Sequence, residues 1–276
     1  RDRDAALRLL GALRVQELGT EEAGSGKVPG DRGLYPDSAQ IAVGARGITV
    51  ADRLCPVDPD ARTQIYDRVE EVIEDYRADG VVLYRFGFVD DDHCLCDVCK
   101  EEFYRDTGVD LSRVSSSSYN RQLWKRWKED QVLEVVEMVR NITADLGPVK
   151  LGVAVGDPFD RSEGYNYADL SKYADFVVAS PVALPDMKVA ADMTETPVFV
   201  RLSDDYVEYS LSTQNVEGTV GRIEGLVKGG AAGIAFEYDV VYTPLWSELL
   251  PPSPSVLWLL DRLEGDVLVI GDLPVE

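Results

Sequence analysis

The sequence predicts an α/β fold, a (β/α)8 barrel formed by a single domain over residues 1–276. Three observations lead there. Several apolar runs lack the alternation of a half-exposed strand, for example Val81 to Phe88 and Val149 to Val155. Helical stretches separate many of them. Strands of this kind belong to a parallel sheet covered on both faces. The length of 276 residues also suits one barrel. No G-x-G-x-x-G follows any strand and no P-loop is present, so an open doubly wound sheet is the second choice.

Taken in order, residues 1–14 read as a helix, with Leu7, Leu10 and Leu13 set among charges. Residues 19–38 are rich in Gly, Pro and Asp and read as a loop. Ile41 to Val50 reads as a strand. An amphipathic helix follows over 61–78, with Ile65, Val69, Val72, Ile73 and Tyr76 on one face. Val81 to Phe88 is a buried strand, followed by a cysteine-rich loop and a short helix around Glu101–Asp106. A long helix runs from Tyr119 to Asp145. Its apolar face includes Leu123, Trp127, Val132, Val135, Val139 and Ile142. Further strands are expected at Val149–Val155, Asp175–Ser180, Val198–Leu202, Ala232–Tyr238 and Asp266–Ile270. Val216–Lys228 and Ser255–Leu263 read as helices. An eighth strand is placed near Arg14–Leu18. The chain opens at Arg1 and stops soon after a strand, so it reads as a domain that a longer protein could contain.

Fifty acidic residues against 28 basic ones give a net charge of −22, and the basic residues are mostly Arg. Such a surface repels nucleic acid and anionic membranes. No run reaches the roughly 18–20 apolar residues of a membrane helix. The acids are spread over the whole chain, which favours adaptation to high salt over a dedicated acidic interface. A cytoplasmic, salt-rich setting is the expectation, and a homo-oligomer is compatible with it. His93 is the one histidine, so a three-histidine metal site within the chain is excluded.

All four cysteines fall in two places: Leu54-Cys55-Pro56, and His93-Cys94-Leu95-Cys96-Asp97-Val98-Cys99. C-x-x-C puts two sulfurs on one tight turn, C-x-C adds a third, and Cys55 supplies a fourth from a neighbouring loop. Four thiolates without an open position describe a structural Zn2+ site. A Cys96–Cys99 redox pair, disulfide bonding, and His93 replacing one sulfur are the alternatives.

The order of these features resembles a known family. A Cys-Pro loop precedes a buried strand, and C-x-C-x-x-C follows with Phe103 close behind. Gly108 comes next, and then an aromatic helix start, Tyr119-Asn120-Arg121-Gln122-Leu123-Trp124-Lys125-Arg126-Trp127. Residues 54–127 are similar to the metal loop of the zinc-containing β-galactosidases and of related glycoside-hydrolase-like TIM barrels. The resemblance implies a TIM-like barrel, a structural zinc, and a carbohydrate bound or cleaved at the barrel mouth. In that family an Asn-Glu pair ends a strand near the cysteine loop, and its Glu is the general acid. Here the strand end reads Tyr84-Arg85-Phe86, with no Glu between Glu74 and Glu101.

Barrel chemistry sits at the carboxyl ends of the strands. The strand ends offer Asp157, Glu237 and Asp239, besides acids at 90–92, 160 and 204–205. Glu237 lies inside an otherwise apolar strand, where burial raises a carboxyl pKa as a general acid requires. A core ion pair with Arg85 or Arg201 is the alternative. Glu237 and Asp157 are thus the candidate catalytic carboxylates, with Arg85, Asp239 and Tyr84 as candidate ligand contacts. Tyr165, Tyr167, Tyr206, Tyr242 and Trp246 are aromatics able to stack on sugar rings or to pack the core. Three functions stand side by side: a glycoside-hydrolase-like enzyme, a non-catalytic saccharide-binding or scaffold barrel that has lost the family's acid, and a metal-dependent hydrolase of another class, which with one His and all Cys committed would need an all-carboxylate site.

Overall fold

A computed structural model describes residues 7–14, 38–44, 47–75, 78–203, 216–238 and 266–272. The first strand, β1 (Leu7–Arg14), is followed by an antiparallel hairpin of β2 (Ala39–Gly44) and β3 (Gly47–Leu54). Then come α1 (Pro59–Glu74), β4 (Gly80–Tyr84), α2 (Asp97–Thr107), a 3-10 turn and α3 (Ser118–Leu146). The chain continues through β5 (Lys150–Val155), α4 (Tyr167–Leu170), β6 (Phe176–Ala179) and α5 (Leu184–Thr194). It ends in β7 (Val198–Ser203), α6 (Val216–Lys228), β8 (Gly233–Tyr238) and β9 (Asp266–Asp272).

Among the described residues, seven parallel strands form a closed ring in the order β1-β4-β5-β6-β7-β8-β9. β1 closes it, pairing Gly11 with Val81 on one side and Leu9 with Val269 on the other. The closure excludes the open doubly wound sheet. It also bears on three expectations. Residues 7–14 are a strand and not a helix, although Leu7, Leu10 and Leu13 have helical spacing. Gly11 disfavours a helix by about 1 kcal/mol relative to Ala, and two flanking strands reward extension. The strand expected near Arg14–Leu18 falls, beyond Arg14, outside the described residues, and among the described residues the ring has seven members where eight were expected. Finally, Ile41–Val50 is not one barrel strand. It reverses between Gly44 and Gly47 into a hairpin outside the ring. The helix expected at Ser255–Leu263 lies outside the described residues.

The remaining elements follow their sequence signals. α1 begins at Asp58, whose carboxylate accepts from the Asp60 and Ala61 amides, with Pro59 in the first turn. Its buried stripe is Ala61, Ile65, Val69, Val72 and Ile73. α3 is capped by Ser117 and buries Trp124, Trp127, Val132, Val135 and Val139. Val81, Leu83, Leu151, Val153, Val177 and Val200 join these helices in the main core. The alternate positions Val82, Ala154, Phe176, Val178, Phe199 and Ala235 form a second, smaller cluster, with Tyr84 packed against it. A parallel strand ring divides its side chains in this way, one set facing the helices and the other filling the barrel. Gly152 belongs to the inner set: a Cβ there would come within 2.3 Å of the Phe176 ring, which takes that space.

Candidate functional site

The cysteine cluster is built by three pieces of chain. Cys55 follows β3, and its amide donates to the Ser38 carbonyl at 2.7 Å. Cys94, Cys96 and Cys99 come from the loop after β4 and the first turn of α2. Cys96 is the N-cap of α2, its Sγ accepting from the Cys99 amide at 3.4 Å. The hairpin and the loop are stitched together at Ile41. Its carbonyl accepts from the Leu95 amide at 2.7 Å, and its amide donates to Cys94 Sγ at 3.3 Å.

All four Sγ atoms lie within 4.8 Å of one another. Cys55 Sγ is 3.4 Å from Cys99 Sγ and 3.8 Å from Cys96 Sγ, and none of the four is in a disulfide. Bonds of about 2.3 Å to a tetrahedral zinc would place sulfur neighbours about 3.8 Å apart. The donor set therefore fits the ion: four sulfurs, two amide N–H groups directed at them, and the positive end of a helix dipole at Cys96. Hydrogen bonding from Cys55, then from Cys94 and Cys99, holds the Cys96 thiol far below its ordinary value. Cys55 is pushed well up, first by its contact with Cys94. Sulfurs this close share negative charge poorly, and a divalent cation relieves that. His93 stands aside, its Nδ1 2.8 Å from Asp90 Oδ1.

An aromatic block anchors this loop to α3. Trp124 and Trp127 stack at 5.2 Å, and the Phe103 ring meets both edge-on. Trp124 Nε1 donates to the Asp91 carbonyl at 3.0 Å. Lys128 is fully buried beneath it. Its Nζ donates to the Asp90 carbonyl at 2.9 Å and the Ser162 carbonyl at 2.6 Å, and lies 5.3 Å from the centre of the Phe88 ring. Burial is the largest influence on this ammonium and brings its pKa down to about 8.

The barrel mouth holds a pocket of about 140 Å³. Tyr84-Arg85, Val155-Gly156, Ala179-Ser180 and Arg201 line it, all from the carboxyl ends of the adjacent strands β4 to β7. Arg201 donates to the Tyr84 hydroxyl, with its guanidinium 4.9 Å from the Tyr84 ring centre. Arg85 holds a left-handed backbone with φ of 53°, unusual for a side chain of this size. Two further elements close the wall. Arg53 arrives from β3, and Glu163 and Tyr165 from the loop after β5. Arg53 Nη1 donates to Glu163 Oε2 at 2.9 Å and to the Phe88 carbonyl at 2.8 Å. Gln40, fully buried on β2, donates to the Leu54 and Gly87 carbonyls and accepts from the Val89 amide, fixing the hairpin to the end of β4. The Gly87 amide donates to the Tyr165 hydroxyl at 3.1 Å, and burial pushes that phenol well above its ordinary pKa.

Of the residues singled out in the sequence, Tyr84 and Arg85 line this pocket, and Cys55, Cys94, Cys96 and Cys99 come together. Asp157 is exposed one residue beyond the lining Gly156, and its Oδ1 accepts from the Phe159 amide at 2.8 Å in a local turn. Glu237 stands near the carboxyl end of β8, its backbone in register with Ser203 and Ile270. Asp239, Asp204, Asp205, Tyr206, Tyr242 and Trp246 lie outside the described residues. Tyr167 is buried in the main core. Arg53 and Glu163 were missed, because nothing local marks them. Arg53 reaches the mouth only through the hairpin. Glu163 reaches it through a loop whose next residue, Gly164, has φ of 82°.

No protein family model matches the chain, and no curated protein matches it. Among solved structures it is similar to the PgaB (BpsB) glycoside hydrolase domain from Bordetella bronchiseptica. That match has 17% identity and a TM-score of 0.47, over 97% of this chain and 70% of that one. It is similar to the agarase AgWH50C at 12% identity and a TM-score of 0.48, over 83% of this chain and 38% of the agarase. Bee venom hyaluronidase matches at 10% identity and a TM-score of 0.37, over 96% of this chain and 79% of that one. Matches at these identities and scores assign no activity. Among the described residues, no helix is long and apolar enough to cross a membrane.

Proposed function

We propose that this chain is a glycoside-hydrolase-like barrel that binds a saccharide at its mouth, and that Cys55, Cys94, Cys96 and Cys99 hold a structural Zn2+. One observation carries the reading. The carboxyl ends of four adjacent parallel strands supply a concave pocket with charged side chains in its wall, at the place where barrel ligands bind. Sugar recognition needs planar hydrogen-bonding groups beside an aromatic wall, and Arg85, Arg201, Glu163 and Tyr84 offer both. Zinc would close the Cys55 turn onto α2 and so fix the hairpin that carries Arg53. It supplies rigidity and no chemistry, because four sulfurs leave it no open position.

Hydrolysis of a glycosidic bond needs two carboxyl groups flanking it, about 5–5.5 Å apart for retention and about 6.5–9.5 Å for inversion. Glu163 is one carboxylate at the pocket. Glu237 on β8 is the proposed second, with Asp239 beyond it, and Asp157 is the alternative at the end of β5. The non-catalytic reading has one observation in its favour: the strand before the cysteine loop ends in Tyr84-Arg85, and Arg cannot donate its proton near neutral pH.

The test is a glycan panel scored for binding and for turnover, with Glu237→Gln, Glu163→Gln and Asp157→Asn measured in parallel. Turnover abolished by Glu237→Gln or Glu163→Gln, with binding retained, supports the enzyme. Binding without turnover supports the saccharide-binding barrel. A folded protein that binds no glycan at all removes the carbohydrate reading.

A further inference from the structure

We infer that the barrel mouth takes a saccharide longer than one unit, one ring entering the pocket and the next lying across its rim on the exposed side chains of Phe159 and Val182. The inference rests on the carbohydrate reading above and adds to it the size class of the ligand and a second contact surface.

The neighbouring strands β5 and β6 place these two residues. Val155 pairs with Ala179 at their carboxyl ends, and each strand runs on into the pocket wall, at Gly156 and at Ser180. Phe159 follows shortly after Gly156, and Val182 shortly after Ser180. Phe159 is 59% exposed and Val182 is 89% exposed. A single apolar side chain in water is ordinary on a protein surface. These two stand on adjacent loops that both line one pocket, at the end of the barrel where ligands bind.

Both loops are ordered from within, so the side chains are held ready. Asp157 Oδ1 accepts from the Phe159 amide at 2.8 Å, and Asp160 Oδ1 accepts from the Ser162 amide at 2.9 Å. Lys128 holds the Ser162 carbonyl, and the Phe88 amide donates to the Glu163 carbonyl at 2.9 Å. On the other loop, the Ala183 amide donates to the Ser180 carbonyl at 3.1 Å. A surface fixed before binding loses little conformational entropy when a ligand arrives.

The chemistry of the two side chains selects what they cover. Neither carries a hydrogen-bonding group, so neither reads hydroxyls. The faces of a sugar ring carry C–H groups. Laying such a face on an aromatic ring and a branched aliphatic group removes apolar area of both partners from water. Contact of this kind tolerates different hydroxyl patterns. The pocket, with Tyr84 and Glu163 in its wall, then reads the identity of one ring, and the rim reads chain length.

Size supports this division. The pocket, at about 140 Å³, is well below the roughly 300 Å³ at which sites for drug-sized ligands begin. It suits one ring, and a glycosidic neighbour lies outside, over the rim.

The experiment is calorimetric titration of the intact protein with matched mono-, di- and trisaccharides of galactose, of glucose and of N-acetylglucosamine. It reads the gain in affinity from each added unit. The disaccharide of the recognised sugar is expected to bind at least about tenfold tighter than its monosaccharide. Phe159→Ala should cut that gain to about threefold or less, and Val182→Ser should lower it by a smaller factor. Phe159→Trp should keep the gain. Its added indole emission should move to shorter wavelength with the disaccharide and not with the monosaccharide. Both positions are exposed, so each variant should melt as the wild type does. A gain left unchanged by Phe159→Ala would overturn the inference and leave the carbohydrate reading standing, and so would a wild type that gains nothing from a second unit. Absence of binding to every sugar by folded protein would overturn both.

Discussion

Arg53 Nη1 donates to Glu163 Oε2 at 2.9 Å, joining two residues 110 positions apart. The contact ties the hairpin to the loop after β5 at the wall of the barrel mouth. Two residues beyond Arg53 stands Cys55, a member of the sulfur cluster. The sulfur cluster and the pocket are thus linked through one short piece of backbone, so a change at one should be felt at the other.

The first prediction follows from that link. Purified protein should carry about one zinc per chain, the stoichiometry of a closed four-sulfur site. Cys96→Ser should lower the zinc content and the melting temperature together, and should weaken saccharide binding without any change to a pocket residue. Metal analysis showing no transition metal in protein never exposed to chelator would count decisively against the site.

The second concerns Lys128. Its folded pKa of about 8 lies below its ordinary 10.5. Between these values the unfolded chain binds more protons than the folded one, so stability rises with pH in that window. Lys128→Met should cost roughly 1–3 kcal/mol, because the Asp90 and Ser162 carbonyls lose their donor. The stability gap between the wild-type protein and this variant should widen from pH 8 to 10.5. A gap that stays flat in denaturant titrations across that range would contradict the assignment.

The third concerns Gly87. A Cβ there would lie 2.5 Å from the Glu163 carbonyl oxygen and 2.6 Å from the Tyr165 ring. Gly87→Ala should therefore push the Glu163 loop away from β4, costing roughly 1–3 kcal/mol, in line with other overpacking changes. Saccharide affinity should fall with it. A variant that melts and binds like the wild type would show that the close approach is not required.

Asp175 offers a test at the opposite end of the barrel. Burial pushes its carboxyl pKa up, but the Leu151 amide, Lys150 and Arg140 together hold it below its ordinary value. A depressed carboxylate stabilises the fold above its unfolded pKa, and that contribution disappears as pH falls through the folded value. Asp175→Asn should cost roughly 1–3 kcal/mol near neutral pH and progressively less toward acid. Equal losses at pH 7 and pH 3 would argue against a charge-based role.

Salt provides the last test. With 50 acidic residues in 276, self-repulsion opposes folding at low ionic strength. The melting temperature should climb from millimolar to molar salt as that repulsion is screened. A flat profile would favour a dedicated acidic interface over salt adaptation.

Hydrophobic periodicity determined much of this protein by itself. Val216–Lys228 is a helix at the bounds its pattern implies, and α3 departs from its expected span by a single residue at each end. The four cysteines were legible as one cluster because C-x-C-x-x-C leaves little freedom for three of the sulfurs. Tertiary structure alone decided the rest. Leu7–Arg14 carries helical spacing, yet pairing with both β4 and β9 makes it the strand that closes the ring. Ile41–Val50 reads as one strand until the antiparallel register of Ile41 with Val50 shows it folded back on itself. Arg53 and Glu163 were invisible for the same reason. Periodicity records which face of an element is buried, but it carries no information on which distant element arrives there. The pocket wall consists of such long-range arrivals, fixed by Gln40, Gly87 and the sulfur cluster.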